Sequence, residues 1–132
     1  KICIVASMSK YEKISYDQIV NACDEIADWV RESGIEFRGI YGPPRGGLVP
    51  AVILSHKTGL KYFEEPRVRP LLIVDDIADT GKTLNSLSKL DDVYVVTIHY
   101  HNQSMFVPDK WVLKKEDKWI VYPWEKEYWE GN

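Results

Sequence analysis

The order of elements in this chain predicts an α/β fold: an open, mainly parallel twisted sheet flanked by helices. Three observations carry that expectation. Segments with helical spacing alternate with short apolar runs through most of the 132 residues, as strand–helix–strand units require. Leu71-Leu72-Ile73-Val74 is apolar at every position, as expected of a parallel strand covered on both faces. Two glycine-bearing turns, at residues 42–47 and 79–83, each stand between an apolar run and a helix.

Taken in order, Ile2 to Ala6 reads as a short strand. Ser15-Tyr16-Asp17-Gln18 is a capping-box pattern with Ser15 at the N-cap. Ile19, Val20, Cys23, Ile26, Ala27 and Val30 then recur at helical spacing, so a helix runs from Tyr16 to Ser33 with Gly34 as its C-terminal cap. Phe37 to Tyr41 reads as a strand. The loop Gly42-Pro43-Pro44-Arg45-Gly46-Gly47 leads into a helix that ends at Gly59, with Pro50 tolerated in its first turn. Lys61 to Phe63 is a short strand, and Leu71 to Asp75 is the central strand. A helix follows from Lys82 to Lys89, then a turn at Asp91-Asp92 and a strand from Val93 to His99. Trp111 to Lys114 and Trp119 to Tyr122 read as strands joined by the charged turn Lys115-Glu116-Asp117-Lys118.

With 132 residues, 45% hydrophobic and 28% charged, the chain is expected to form a single domain spanning 1–132. A formal charge of -3 and the absence of any basic block argue against a nucleic-acid partner. No apolar run approaches the ~20 residues that cross a bilayer, and residues 2–6 are too short for the apolar core of a signal peptide. Cys3 and Cys23 have neither metal nor redox spacing, so free thiols in a reducing cytoplasm are expected.

The most informative string is Leu71-Leu72-Ile73-Val74-Asp75-Asp76-Ile77-Ala78-Asp79-Thr80-Gly81-Lys82-Thr83-Leu84. A strand brings two adjacent carboxylates to a short turn that opens a helix, and open parallel sheets bind ligands beyond the carboxyl ends of their strands. Gly81-Lys82-Thr83 invites a P-loop reading, but the glycine that motif needs five residues earlier is Asp76. A ribose suits the acids better. Its neighbouring hydroxyls can donate to Asp75 and Asp76, while Asp79, Thr80, Gly81, Lys82 and Thr83 hold a 5-phosphate on backbone N–H groups. Read alone, Asp75 and Asp76 would only end a strand and start a turn. The complete string gives each part a chemical task at a fixed offset.

That string resembles the signature of the type I phosphoribosyltransferases, which bind phosphoribosyl pyrophosphate (PRPP). Pro44-Arg45-Gly46-Gly47-Leu48-Val49-Pro50-Ala51 resembles the pyrophosphate loop of the xanthine-guanine and archaeal-type purine enzymes, and Lys118-Trp119-Ile120-Val121-Tyr122-Pro123-Trp124-Glu125 is similar to their small C-terminal purine-pocket segment. The resemblance implies transfer of 5-phosphoribosyl from PRPP to hypoxanthine, guanine or xanthine, giving a nucleoside monophosphate and pyrophosphate. It implies Mg2+ held mainly by PRPP and water, with Asp75 and Asp76 as further contacts. It implies pyrophosphate binding by Pro44, Arg45, Gly46 and Gly47, with a cis peptide before Arg45. Asp79 would face purine N7 as acid–base, Trp119 would stack on the base, and the Ile120 backbone would meet its edge. A homodimer or larger assembly is also implied.

Other readings of these residues stay open. Four of five tryptophans lie at or after Trp111, and such clusters usually pack. Trp119 thus stands between stacking and packing, while Trp124 and Trp129 fall on the packing side. Asp79 could simply cap the following helix. Two departures from the family pattern stand out. His101 occupies the place of a lysine that donates to purine O6, and His99 with His101 lacks a third ligand for a metal. The connection Phe63-Glu64-Glu65-Pro66-Arg67-Val68-Arg69-Pro70 is too short for the long mobile loop that closes over PRPP. Arg67 and Arg69 could meet pyrophosphate, though solvated charge is the simpler account. A non-catalytic PRPP or nucleotide regulator, or a transferase for a different base, are the alternative functions.

Overall fold

The computed structural model describes residues 10–130, so the expected strand at residues 2–6 lies outside the described part. The elements in chain order are β1 (Tyr11–Lys13), α1 (Tyr16–Glu32), β2 (Gly39–Tyr41), α2 (Leu48–Thr58), β3 (Leu71–Ala78), α3 (Lys82–Leu87), β4 (Val93–His101), β5 (Lys110–Lys115), β6 (Trp119–Val121) and α4 (Lys126–Glu130). A four-stranded parallel sheet runs β2-β3-β4-β5, and β1 pairs in parallel with β6 as a separate ribbon.

The capping box closes as the sequence predicts. Ser15 Oγ accepts from Gln18 N at 3.2 Å, and Gln18 Oε1 accepts from Ser15 N at 3.0 Å. α1 then buries Ile19, Ala22, Cys23, Ile26, Ala27 and Val30. With Ala51 and Leu54 of α2 they cover one sheet face, built from Leu72, Val74, Val96 and Ile98. The opposite face is thinner: Leu71, Ile73, Ala78 and Val95 lie beneath Leu84 of α3 and the half-buried Phe106. Burial pushes the Cys23 thiol up to about 12, so it behaves as a small core hydrophobe.

Phe106 belongs to an unusual connection. The parallel strands β4 and β5 are joined by residues 102–109, with no crossover helix. Asp109 secures the return, its N–H donating to Val95 O and its Oδ2 accepting from Val95 N, both at 2.8 Å. Midway, Met105 N donates to Thr80 O at 2.9 Å. The loop thereby braces the turn after β3.

The elements differ from the sequence reading where tertiary pairing decides. Phe37 is in the core, edge-on to Tyr94 at 5.6 Å, but the ladder begins only at Gly39. Residues 61–63 contribute a single bridge, Ile40 to Tyr62, rather than a strand. β3 continues to Ala78, so Asp75 and Asp76 lie inside the strand. The strands on either side of the charged turn belong to different sheets, because β6 pairs with Tyr11–Lys13, a polar segment whose sequence gives no strand signal. Among the described residues, no helix is long and apolar enough to cross a membrane.

Candidate functional site

Parallel pairing sets the site at the carboxyl ends of β3, β4 and β5. Ala78 pairs with Tyr100, and Tyr100 pairs with Lys114; His101 pairs with Lys115. One residue past Ala78, Asp79 therefore falls in the row of His101 and Lys115. The contacts follow from that register: His101 Nδ1 is 2.9 Å from Asp79 Oδ1, and Lys115 Nζ lies 3.3 Å from both Asp79 oxygens. Asp79 thus turns sideways along the strand ends and does not cap α3, whose N-cap is Gly81 without a side-chain bond.

The turn after Asp79 has little freedom. Gly81 takes φ +80°, and a Cβ there would run into Ser104 Oγ and the backbone N of Phe106, so both conformation and space require glycine. Lys82 N donates to Thr80 Oγ1 at 3.4 Å. Lys82 and Thr83 open the short helix that follows.

The acid pair is the most strained electrostatic feature of the site. Each carboxylate folds onto the next backbone donor: Asp75 Oδ1 accepts from Asp76 N at 2.9 Å, and Asp76 Oδ1 from Ile77 N at 2.7 Å. Burial, then the adjacent Asp76 charge, pushes Asp75 from 3.8 to about 8. Burial also raises Asp76. Two half-buried carboxyls side by side cannot both ionise cheaply. The consequence is testable in the free protein. The unfolded chain releases the Asp75 proton near its ordinary value and the folded chain only near 8, so the folded state binds more protons between those values. Stability therefore falls as pH rises through this window and levels off above it. Asp75→Asn removes that loss. Its unfolding free energy should exceed the wild type's increasingly from pH 5 to 8, by on the order of a few kcal/mol. Parallel curves in the two proteins would contradict the raised value.

The loop after β2 closes on this pair. A Cβ at Gly46 would collide with all three terminal atoms of the Asp76 carboxylate, and one at Gly47 with Val74 O. The backbone of residues 45–47 therefore lies directly on the acid strand. Gly47 N donates to Pro43 O at 2.9 Å, and the Pro44–Arg45 peptide is cis.

Beside Asp79 opens a cleft of about 120 Å³ lined by Asp76, Ile77, Asp79, Lys115, Trp119, Ile120, Tyr122 and Glu125. Trp119 is 56% exposed there, with Lys115 Nζ 5.3 Å from its ring centroid. Tyr122 is the floor. Its ring stacks on Trp124 at 4.9 Å, and its hydroxyl donates to Asp76 O at 3.1 Å. His99 Nδ1 is 2.8 Å from that hydroxyl oxygen and supplies its own proton, since the tyrosine proton is spent on Asp76. Burial lowers His99 to about 4, so it stays neutral. Glu125 Oε1 accepts from Tyr122 N at 2.9 Å, and burial raises its carboxyl.

The structure thus brings Asp75, Asp76, Asp79, Gly46, Trp119 and Ile120 to one end of the sheet. His101 reaches Asp79 but does not line the cleft. Trp124 packs as the sequence predicts, whereas Trp129 is 64% exposed and donates only to Pro123 O. Sequence reasoning missed Lys115, gave Tyr122 and Glu125 a place in the purine-pocket segment but no individual role, and weighed His99 only as a metal ligand. Among the described residues no group of three or more His, Cys, Asp or Glu side chains is placed to hold a metal. The short connection between α2 and β3 is anchored on itself: Arg69 Nη1 donates to Pro66 O and Val68 O, and Arg67 lies over Phe63. Phe63 in turn fills the space beside Gly39.

No family model matches the chain. It is 28% identical, over 87% of its length and 84% of the relative's, to a xanthine-guanine phosphoribosyltransferase of Gluconobacter oxydans. Among solved structures, a purine phosphoribosyltransferase from Pyrococcus horikoshii superposes with a TM-score of 0.75 at 28% identity, covering 89% of this chain and 95% of that one. A xanthine-guanine-hypoxanthine phosphoribosyltransferase from Helicobacter pylori gives the same TM-score, 0.75, with the same 89% and 95% coverage at 18% identity, a likeness of fold.

Proposed function

We propose that this chain, a type I phosphoribosyltransferase in its fold and its motif blocks, transfers the 5-phosphoribosyl group of PRPP to a purine base: hypoxanthine, guanine or xanthine. One observation carries the reading. Three sequence blocks far apart in the chain converge on one end of one parallel sheet, with Gly46 against Asp76 and Asp79 beside the Trp119–Ile120 cleft.

Each block has a task in that reaction. The bond from ribose C1 to the pyrophosphate oxygen breaks, and the bond from C1 to a purine nitrogen forms. Negative charge grows on the departing pyrophosphate while the sugar becomes cationic, so preorganised donors and anions are what the protein must supply. Backbone N–H groups of residues 79–83 hold the 5-phosphate. Asp75 and Asp76 accept from the ribose hydroxyls. Arg45 and the N–H groups of Arg45, Gly46 and Gly47, with Pro44 setting the bend, receive pyrophosphate. Trp119 supports the base face, the Ile120 backbone meets its edge, and Asp79 faces N7, where it exchanges a proton with the ring.

The residues present fit magnesium delivered with PRPP. Two adjacent carboxylates whose burial disfavours their own charge gain from a nearby dication. A cation bound through one or two carboxylates plus substrate phosphates and water needs no larger cage. When bound, it neutralises charge on the pyrophosphate. Assembly as a homodimer or larger oligomer belongs to the same proposal, and Leu48 and Val52 offer an exposed apolar face on α2.

A regulator that binds nucleotide without turnover is the second reading. The short, self-anchored connection of residues 64–70 favours it, because such a segment offers little to shield the reacting sugar from water. The assay that separates the two supplies Mg-PRPP and a panel of bases at micromolar protein. The transferase reading expects one or more 6-oxopurines to be consumed with equimolar pyrophosphate release. Nucleotide binding by calorimetry with no base consumed would select the regulator.

A further inference from the structure

We propose that Tyr122, backed by His99, is a positioning residue for the acid strand: its hydroxyl fixes the peptide between Asp76 and Ile77, and through that peptide the direction in which the Asp76 carboxylate meets the ribose of PRPP. The inference deepens the PRPP site assigned above and rests on it.

Three observations lead there. First, one peptide is gripped at both ends. The Asp76 carbonyl accepts from the Tyr122 hydroxyl at 3.1 Å, and the N–H of the same peptide, that of Ile77, donates to Asp76 Oδ1 at 2.7 Å. A peptide is planar, so its C=O and N–H turn together. Whatever holds the carbonyl therefore aims the N–H, and the N–H aims the carboxylate. Second, the ladder between β2 and β3 ends at Tyr41–Ile73, before Asp76 is reached. Tyr122 thus meets a stretch of β3 whose strand partner is β4 alone. Third, the direction of the chain is fixed. A carbonyl only accepts, so the single tyrosine proton goes to Asp76 O, and His99 Nδ1, 2.8 Å from the hydroxyl oxygen, brings its own. Tyr122 is 2% exposed and His99 1%, so water does not compete for either.

Two polar side chains in the core cost desolvation that a phenylalanine and a leucine would not. What the polar pair supplies is direction. The bond from hydroxyl to carbonyl polarises the peptide and strengthens the N–H that holds the carboxylate. The carboxylate has no slack to absorb an error, since the Gly46 backbone lies directly against it.

Calorimetric titration with Mg-PRPP tests the assignment independently of turnover. Tyr122→Phe keeps the ring that stacks on Trp124 and should weaken PRPP binding about 10-fold, the scale of one net hydrogen bond. In an Asp76→Ala background the same change should cost about twofold or less, because the group being positioned is gone. His99→Asn, whose amide nitrogen falls where Nδ1 stood, should stay close to wild type, whereas His99→Leu should not. Tyr122→Phe strands the buried His99 donor, so the double variant His99→Leu/Tyr122→Phe is titrated beside it; with neither polar atom left, it should show the same loss and no greater one. An equal loss with and without the Asp76 carboxylate would make Tyr122 a packing residue and overturn the assignment. So would a nitrogen NMR spectrum with the His99 proton on Nε2, since the tyrosine proton would then go to His99 and not to Asp76. Either result leaves the PRPP site standing as long as wild type binds PRPP. Wild type that binds PRPP and consumes no base selects the regulator, with the coupling to Asp76 read in the same way. Wild type that binds no PRPP removes the site and this assignment with it.

Discussion

Asp79→Asn should lower kcat by about 10²- to 10⁴-fold, the span typical of a lost general acid–base, while PRPP binding is retained. The substitution is nearly isosteric and leaves the backbone of the 79–83 turn in place, so the 5-phosphate keeps its N–H donors. The carboxylate is what disappears, and it is the atom group that ties His101 and Lys115 together at the strand ends. Asp79 receives His101 at 2.9 Å and Lys115 at 3.3 Å, and it borders the cleft where the base would lie. An amide offers one acceptor oxygen instead of two and presents N–H groups to two donors. Rapid-quench turnover and PRPP titration, measured on the same preparation, separate the two effects. Turnover equal to wild type would remove Asp79 from the chemistry.

Gly46→Ala should cost about 10²-fold in kcat/KM for PRPP, the scale associated with misplacing a reacting group by about 1 Å. The added methyl has nowhere to go: it would overlap the Asp76 carboxylate, which is itself fixed by Ile77 N at 2.7 Å. Relief requires the loop of residues 44–47 to lift from the acid strand, and its N–H groups then no longer meet pyrophosphate in line with the ribose. With the loop in its proposed role of holding PRPP rather than the base, the KM for PRPP should rise more than the KM for the purine. An unchanged KM for PRPP would show that the close packing of Gly46 on Asp76 is not needed for binding.

Much of this arrangement was legible in the sequence, and the reason is locality. The Ser15–Gln18 box, the apolar run ending in Asp75-Asp76 and the turn to Thr83 each concentrate their information within a few residues. What escaped depends on pairing between distant segments. Tyr11–Lys13 is polar throughout and becomes a strand only because β6 lies beside it. Lys115 stands in the run Lys-Lys-Glu-Asp-Lys, which reads as a solvated turn. Strand alternation carried a usable signal, since Lys115 shares a face with Trp111 and Leu113, while Lys114 points away. Its meeting with Asp79 needs the β3–β4–β5 register, which no local pattern encodes. The His99–Tyr122–Asp76 chain is hidden for the same reason, its members coming from β4, the segment after β6 and β3. The sequence reading singled out His101, but only the β4–β5 register shows that the adjacent strand brings Lys115, and not His101, into the lining of the cleft.

The most direct test of the account is a crystal structure of the protein with a bound purine nucleoside monophosphate. The expected density has the 5-phosphate on the backbone of residues 79–83, the ribose hydroxyls toward Asp75 and Asp76, and the base against Trp119. A nucleotide lodged elsewhere, or a ribose turned away from the two carboxylates, would contradict it.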